Sequence, residues 1–128
     1  MRNKKSTIVI ISIMLFSVVE MVSCTNNSLP VPAVSFSKDI IPILTTNCAL
    51  NSGCHLGANS TNLQINFDSD SAYATLFKRD LISTTNPPAS LFYAEVEENQ
   101  MPLAPYAPLS ESQKNLILKW IQEGAKNN

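Results

Sequence analysis

The stretch Cys48-Ala49-Leu50-Asn51-Ser52-Gly53-Cys54-His55-Leu56-Gly57 decides how the rest of this 128-residue chain is read. Five residues separate two cysteines, and a histidine abuts the second. His55 is the only histidine in the chain. Of the four methionines, Met1, Met14 and Met21 fall in an N-terminal segment of different character, which leaves Met101 alone in the remainder. Beyond Cys24, then, the soft sulfur and nitrogen donors are Cys48, Cys54, His55 and Met101. Asn51-Ser52-Gly53 can bulge between the cysteines, because Asn and Gly tolerate φ > 0.

Working outward, the flanks read as short helices joined by long loops, an all-α fold class. Asp39 is the expected cap of a first helix with Pro42 in its first turn, and Ile40, Ile43 and Leu44 make its apolar side. Leu63, Ile65 and Phe67 alternate with polar residues, which predicts a short extended segment along a pocket wall. Asp70 is expected to cap a helix carrying Tyr73, Ala74, Leu76 and Phe77. Asn86 is expected to cap another, with Pro87 and Pro88 in its first turn and Phe92 and Val96 on one face. Glu95, Glu97 and Glu98 read as a solvated acidic face. Gln100 to Pro108 holds three prolines in nine residues, so neither helix nor strand fits it. Ser110 and Gln113 form a capping box for a last helix with Leu116, Ile117, Trp120 and Ile121 as its apolar stripe, ended by Gly124.

Two cysteines, an imidazole beside the second and one remote thioether are the parts of a c-type haem protein. The flanking residues carry the same reading. Asp39-Ile40-Ile41-Pro42-Ile43-Leu44, followed by Cys48 and by Cys54-His55-Leu56-Gly57, resembles the opening of small bacterial cytochrome c domains. Pro88 to Tyr93, Met101-Pro102, Leu109-Ser110 and Trp120-Ile121-Gln122-Glu123-Gly124-Ala125 are similar, in that order, to the ending of the same family. The resemblance covers residues 36–126. It implies one haem c attached through Cys48 and Cys54, with His55 as the proximal and Met101 as the distal iron ligand. It also implies that Trp120 packs where the first and last helices cross, beside the haem edge. The common attachment motif has two residues between its cysteines and this chain has five, so the extra residues must loop out. The competing reading is a haem-free binding module with a Cys48–Cys54 disulfide. Such a small domain has a marginal core, so the haem-free chain is expected to be poorly folded.

Residues 1–23 read as a secretory signal: Arg2, Lys4 and Lys5 precede an apolar run from Ile8 to Val19 that is too short to span a membrane. Met21-Val22-Ser23-Cys24 resembles the lipobox of bacterial lipoproteins, which implies lipidation of Cys24. Residues 24–35 read as a proline-containing tether. An exported protein anchored in the cell envelope follows, periplasmic or on the outer membrane. Past residue 23, six Lys/Arg stand against nine Asp/Glu, so the remainder carries −3. That charge excludes a basic nucleic-acid binder and suits cationic partners. The expectation is a monomeric electron carrier serving redox protein partners, attached to a membrane by its lipid. It is not an enzyme, since no distal His or second catalytic group accompanies the four donors.

Overall fold

The computed structural model describes residues 32–51, 53–57 and 64–128. The expected signal 1–23, Cys24, residues 25–31 of the tether, Ser52 and Leu63 lie outside the described residues. Among the described residues all regular structure is helical, in agreement with the all-α expectation.

Phe36–Ile40 forms a π-helical turn that runs straight into α1, Ile41–Asn47. Pro42 accounts for the wide turn. It brings no N–H, and its ring collides with the carbonyl of residue i−4 in a regular helix. In the wider register the Ile41 N–H donates to the Phe36 carbonyl, and the ladder closes without Pro42. This shifts the cap. Ser35, not Asp39, is the N-cap: its hydroxyl oxygen accepts from the Lys38 N–H. Asp39 closes the cap from inside, its carboxylate accepting from the Ser35 N–H at 2.7 Å.

Packing extends beyond 36–126 at both ends, and the compact unit spans Pro32–Asn128. Val34 is buried, and its N–H donates to the Glu123 carboxylate. The Asn128 carbonyl accepts from the Ser37 N–H and from the hydroxyls of Ser35 and Ser37, all at 2.8–2.9 Å. The Asn128 side-chain oxygen accepts from the Phe36 N–H.

Helix α2, Ala72–Lys78, starts on backbone bonds from Ser71 and Ala72 to the Asp68 carbonyl. The Asp70 carboxylate takes the Ser69 hydroxyl and caps nothing, contrary to expectation. The helix expected from Asn86 is broken in two. Pro87–Ala89 is a single 3₁₀ turn, Ser90 is extended, and α3 covers Leu91–Glu97. Pro88 disfavours a helical Pro87, and Ser90 is held out of the helix by Ser83. The Ser90 hydroxyl accepts from the Ser83 N–H at 2.9 Å and donates to the Ser83 carbonyl. Helix α4, Glu111–Gln122, has the expected Ser110–Gln113 capping box and ends before Gly124 at φ +94°.

The core gathers Ile40, Leu44, Leu76, Val96, Ile117, Trp120 and Ile121, all fully buried. The Trp120 ring centre lies 5.1 Å from that of Phe36, so the start and end of the unit do cross there. The Trp120 indole N–H donates to the Lys126 carbonyl, which satisfies its one polar group.

Candidate functional site

Helix α1 ends on Cys48, whose N–H donates to the Leu44 carbonyl. The Cys48 thiol is buried, and burial first, with nearby Cys54 second, pushes its pKa up to about 12. The chain then turns back on itself. Asn51 accepts twice, from the Gly53 N–H at its side chain and from the Cys54 N–H at its carbonyl. The His55 N–H donates to the Cys48 carbonyl at 3.1 Å and closes the loop onto the end of α1. These bonds bring Cys54 and His55 back to the end of α1. A Cβ at Gly53 would sit 3.1 Å from the Asn51 side-chain oxygen, a tight approach that a small shift of the exposed Asn51 side chain would relieve. Cys48 and Cys54 are both free thiols.

His55 is half-buried and faces the segment that follows it in the fold. Its Nδ1 lies 3.2 Å from the Ile65 carbonyl oxygen. A carbonyl can only accept, so Nδ1 carries the proton and Nε2 keeps its lone pair. Burial lowers the imidazole pKa, and the bond to Ile65 opposes that without reversing it. The ring is therefore neutral near pH 7, the form in which imidazole binds a metal. The Phe67 N–H donates to the His55 carbonyl at 2.7 Å, and the two rings lie 5.1 Å apart. Ile65 and Phe67 line a cavity wall as expected, in coil. Asn66 between them accepts from the N–H groups of Gly57 and Asp68 and pins the segment in place. Gly57 permits this with φ +83°.

Met101 comes from a different segment and lines the same two cavities. After α3 the N–H groups of Gln100 and Met101 both donate to the Glu95 carbonyl, at 2.9 and 3.0 Å. The side chain packs half-buried against the core, and the proline-rich segment that follows is free of helix and strand.

Two cavities meet at these residues. The first, about 230 Å³, is walled by Ile65, Phe67, Leu81, Phe92 and Val96. The second, about 220 Å³, lies between the Cys48–Cys54 loop and the stretch from Met101 to Tyr106. Cys48, His55 and Met101 line both. Together they reach the size range of a small-molecule site, roughly 300–1,000 Å³. The structure thus brings all four sequence-picked donors to one crevice, with Cys54 on the second cavity. Trp120 lines neither cavity.

The acidic residues of α3 are not one solvated face. Glu95 lines the first cavity, the one carboxylate to do so. Glu97 accepts from the Tyr93 hydroxyl at 3.0 Å. Glu97 and Glu98 are both exposed, and Glu95 is half-buried. Alternation of charge along seven residues gave no sign of this; the i, i+4 spacing of Leu91 and Glu95, both on the cavity, was the available signal. Buried Lys114 also went unnoticed: its ammonium meets the Glu97 carbonyl and the Glu111 carboxylate.

Among the described residues no group of three or more His, Cys, Asp or Glu side chains converges as a bare-ion site. No helix among them is long and apolar enough to cross a membrane. No protein-family model, curated protein or solved structure matches the chain.

Proposed function

We propose that this chain is an exported, lipid-anchored electron carrier that holds one covalent haem c between His55 and Met101. The observation that carries the reading is the shared crevice: one neutral imidazole and one thioether sulfur line both cavities, beside two free thiols. The donor set suits the group. His55 and Met101 would hold the iron of such a group, one through imidazole nitrogen and one through thioether sulfur. The bound group would supply a one-electron ferric/ferrous couple.

The chain's own residues do the rest. Ile65 orients His55 and holds its proton on Nδ1, as outer partners of metal-bound histidines do. Glu95 fixes the backbone of Met101 through its carbonyl. Ile65, Phe67, Phe92 and Val96 present an apolar wall that excludes water and favours a flat apolar ligand. Cys48 and Cys54 each offer a thiol that can add across a vinyl group, a step that needs no oxidant. With both axial donors engaged, no position remains for a substrate, so the reading is a carrier rather than an enzyme. The −3 balance past residue 23 suits cationic redox partners. Cys24 would hold the domain to the membrane.

Expression in a bacterium that attaches haem c, followed by intact mass and visible spectrum, tests the proposal. The expected result is a gain of one haem that survives denaturation, with a low-spin spectrum. A chain without a Soret band, lighter than the free dithiol by two protons, overturns it in favour of the disulfide module.

A further inference from the structure

We infer that the lengthened Cys48–Cys54 loop is a strap: Asn51 holds, through Tyr106, the proline-rich loop that carries Met101. The inference rests on the haem reading for what Met101 does; the strap itself is a contact within the chain. The Asn51 side-chain N–H₂ donates to the Tyr106 hydroxyl at 3.2 Å, across 55 residues of sequence. Asn51 is aimed for this. Its side-chain oxygen is engaged by the Gly53 N–H at 2.8 Å, which turns the amide nitrogen the other way. On the far side, the Tyr106 N–H donates to the Leu103 carbonyl and closes a turn around Tyr106.

The Met101 loop is therefore held at two points, by the Glu95 carbonyl at Met101 and by Asn51 at Tyr106. Pro102 and Pro105 lie between those points and stiffen the span. The bond at Tyr106 thus restrains the far end of a stiff span whose near end is Met101. Tyr106 lines the second cavity together with Gly53, Cys54, Met101 and Pro102. The residues added between the cysteines thus supply a link between the proximal and distal sides. Asn51 and Tyr106 are positioning residues: they act on Met101 and touch no iron. Both are exposed, so water competes for the bond, and the strap opens more readily than a buried bond would.

Tyr106→Phe tests this, because it removes one hydroxyl and leaves the ring. In the ferric holoprotein the entry of cyanide waits for Met101 to leave. Tyr106→Phe should speed cyanide binding roughly two- to tenfold, the range expected for one exposed neutral hydrogen bond. The charge-transfer band of the resting protein should stay. Asn51→Ala should show a similar gain, and the double variant should show no more than either alone. In the full-length haem-free chain, the Tyr106 amide, bonded to the Leu103 carbonyl, should exchange faster by a like factor in Tyr106→Phe. Unchanged cyanide binding and unchanged exchange in Tyr106→Phe overturn the strap. Effects of the two variants that multiply in the double variant overturn it as well. If the parent chain takes up no haem, the electron-carrier reading fails alone, and amide exchange still decides the strap.

Discussion

Replacing Met101 with Leu separates the packing of this side chain from its sulfur. The two side chains have nearly equal volume, and such swaps cost less than about 1.5 kcal/mol even in well-packed cores. Met101 is only half-buried, and its backbone is held by the Glu95 carbonyl at 3.0 Å, a bond the substitution leaves alone. Neither thiol is touched, and the His55–Ile65 bond lies on another segment. The variant should therefore fold, keep covalent haem and unfold within about 1.5 kcal/mol of the parent. What it loses is a soft neutral donor that favours ferrous over ferric iron. A ten- to hundredfold loss of that preference lowers a one-electron potential by roughly 60–120 mV, at about 59 mV per tenfold. Redox titration measures the fall, the near-infrared band of His/Met ferric haem should vanish, and carbon monoxide should bind the ferrous form quickly. An unchanged potential together with an unchanged band would refute the reasoning. The sixth ligand would then be water, a lysine or a backbone group.

Two further outcomes follow from the geometry and one from the sequence. In the haem-free chain, burial lowers the His55 pKa below 6.5, so the unfolded chain takes up the proton first. Stability should be full above about pH 6.5 and decline as pH falls towards the folded value, by at most about 1.4 kcal/mol per pH unit from this group. Denaturant titrations of His55→Gln should show that slope flattened, and an identical slope would remove His55 as its source. Ser90→Ala deletes a hydroxyl from a residue that is 1% exposed and leaves the Ser83 N–H without its 2.9 Å partner. The expected loss is about 1–3 kcal/mol in chemical denaturation; a loss near zero would mean that Ser83 finds another acceptor. Finally, Cys24→Ser should move the protein from the membrane fraction to the soluble fraction of the envelope. Retention on membranes after a salt wash would count against the lipid anchor.

Local chemistry was legible in the residues. Ser110 and Gln113 cap α4, and Gly124 ends it at φ +94°. Phe92 and Val96 share a buried face, and the four soft donors, rare enough to be counted, converge on one crevice. Errors arose where a neighbour's constraint overrode a local preference. Asp39 has the chemistry of a cap, but the π turn forced ahead of Pro42 starts the helical run earlier and passes the role to Ser35. Asn86 before two prolines looks like a helix start, but Ser83 holds Ser90 extended and delays α3. Other features leave no mark on a sequence. The Ile65 carbonyl that sets the His55 tautomer is backbone, which every residue has. Contacts such as Asn51–Tyr106 and Phe36–Asn128 join residues 55 and 92 apart, and no periodicity reports them.

The placement of Trp120 changes how the haem-free chain should be understood. The resemblance implies that it packs beside the haem edge. In the structure, Trp120 packs against Phe36 and Tyr73 within the one core, and the Tyr73 hydroxyl donates to the Ala125 carbonyl. The crevice is built elsewhere, from the end of α1, the two loops and one side of α3. Phe67, Leu81, Phe92 and Val96 line the first cavity and belong to the same buried core as Trp120, so the crevice borders that core directly. Local stability follows buried apolar contact, so the exposed, helix-free stretch after Met101 should open at lower free energy than the helices packed around Trp120. On the proposed haem reading, that stretch is the part to move aside when the cofactor enters.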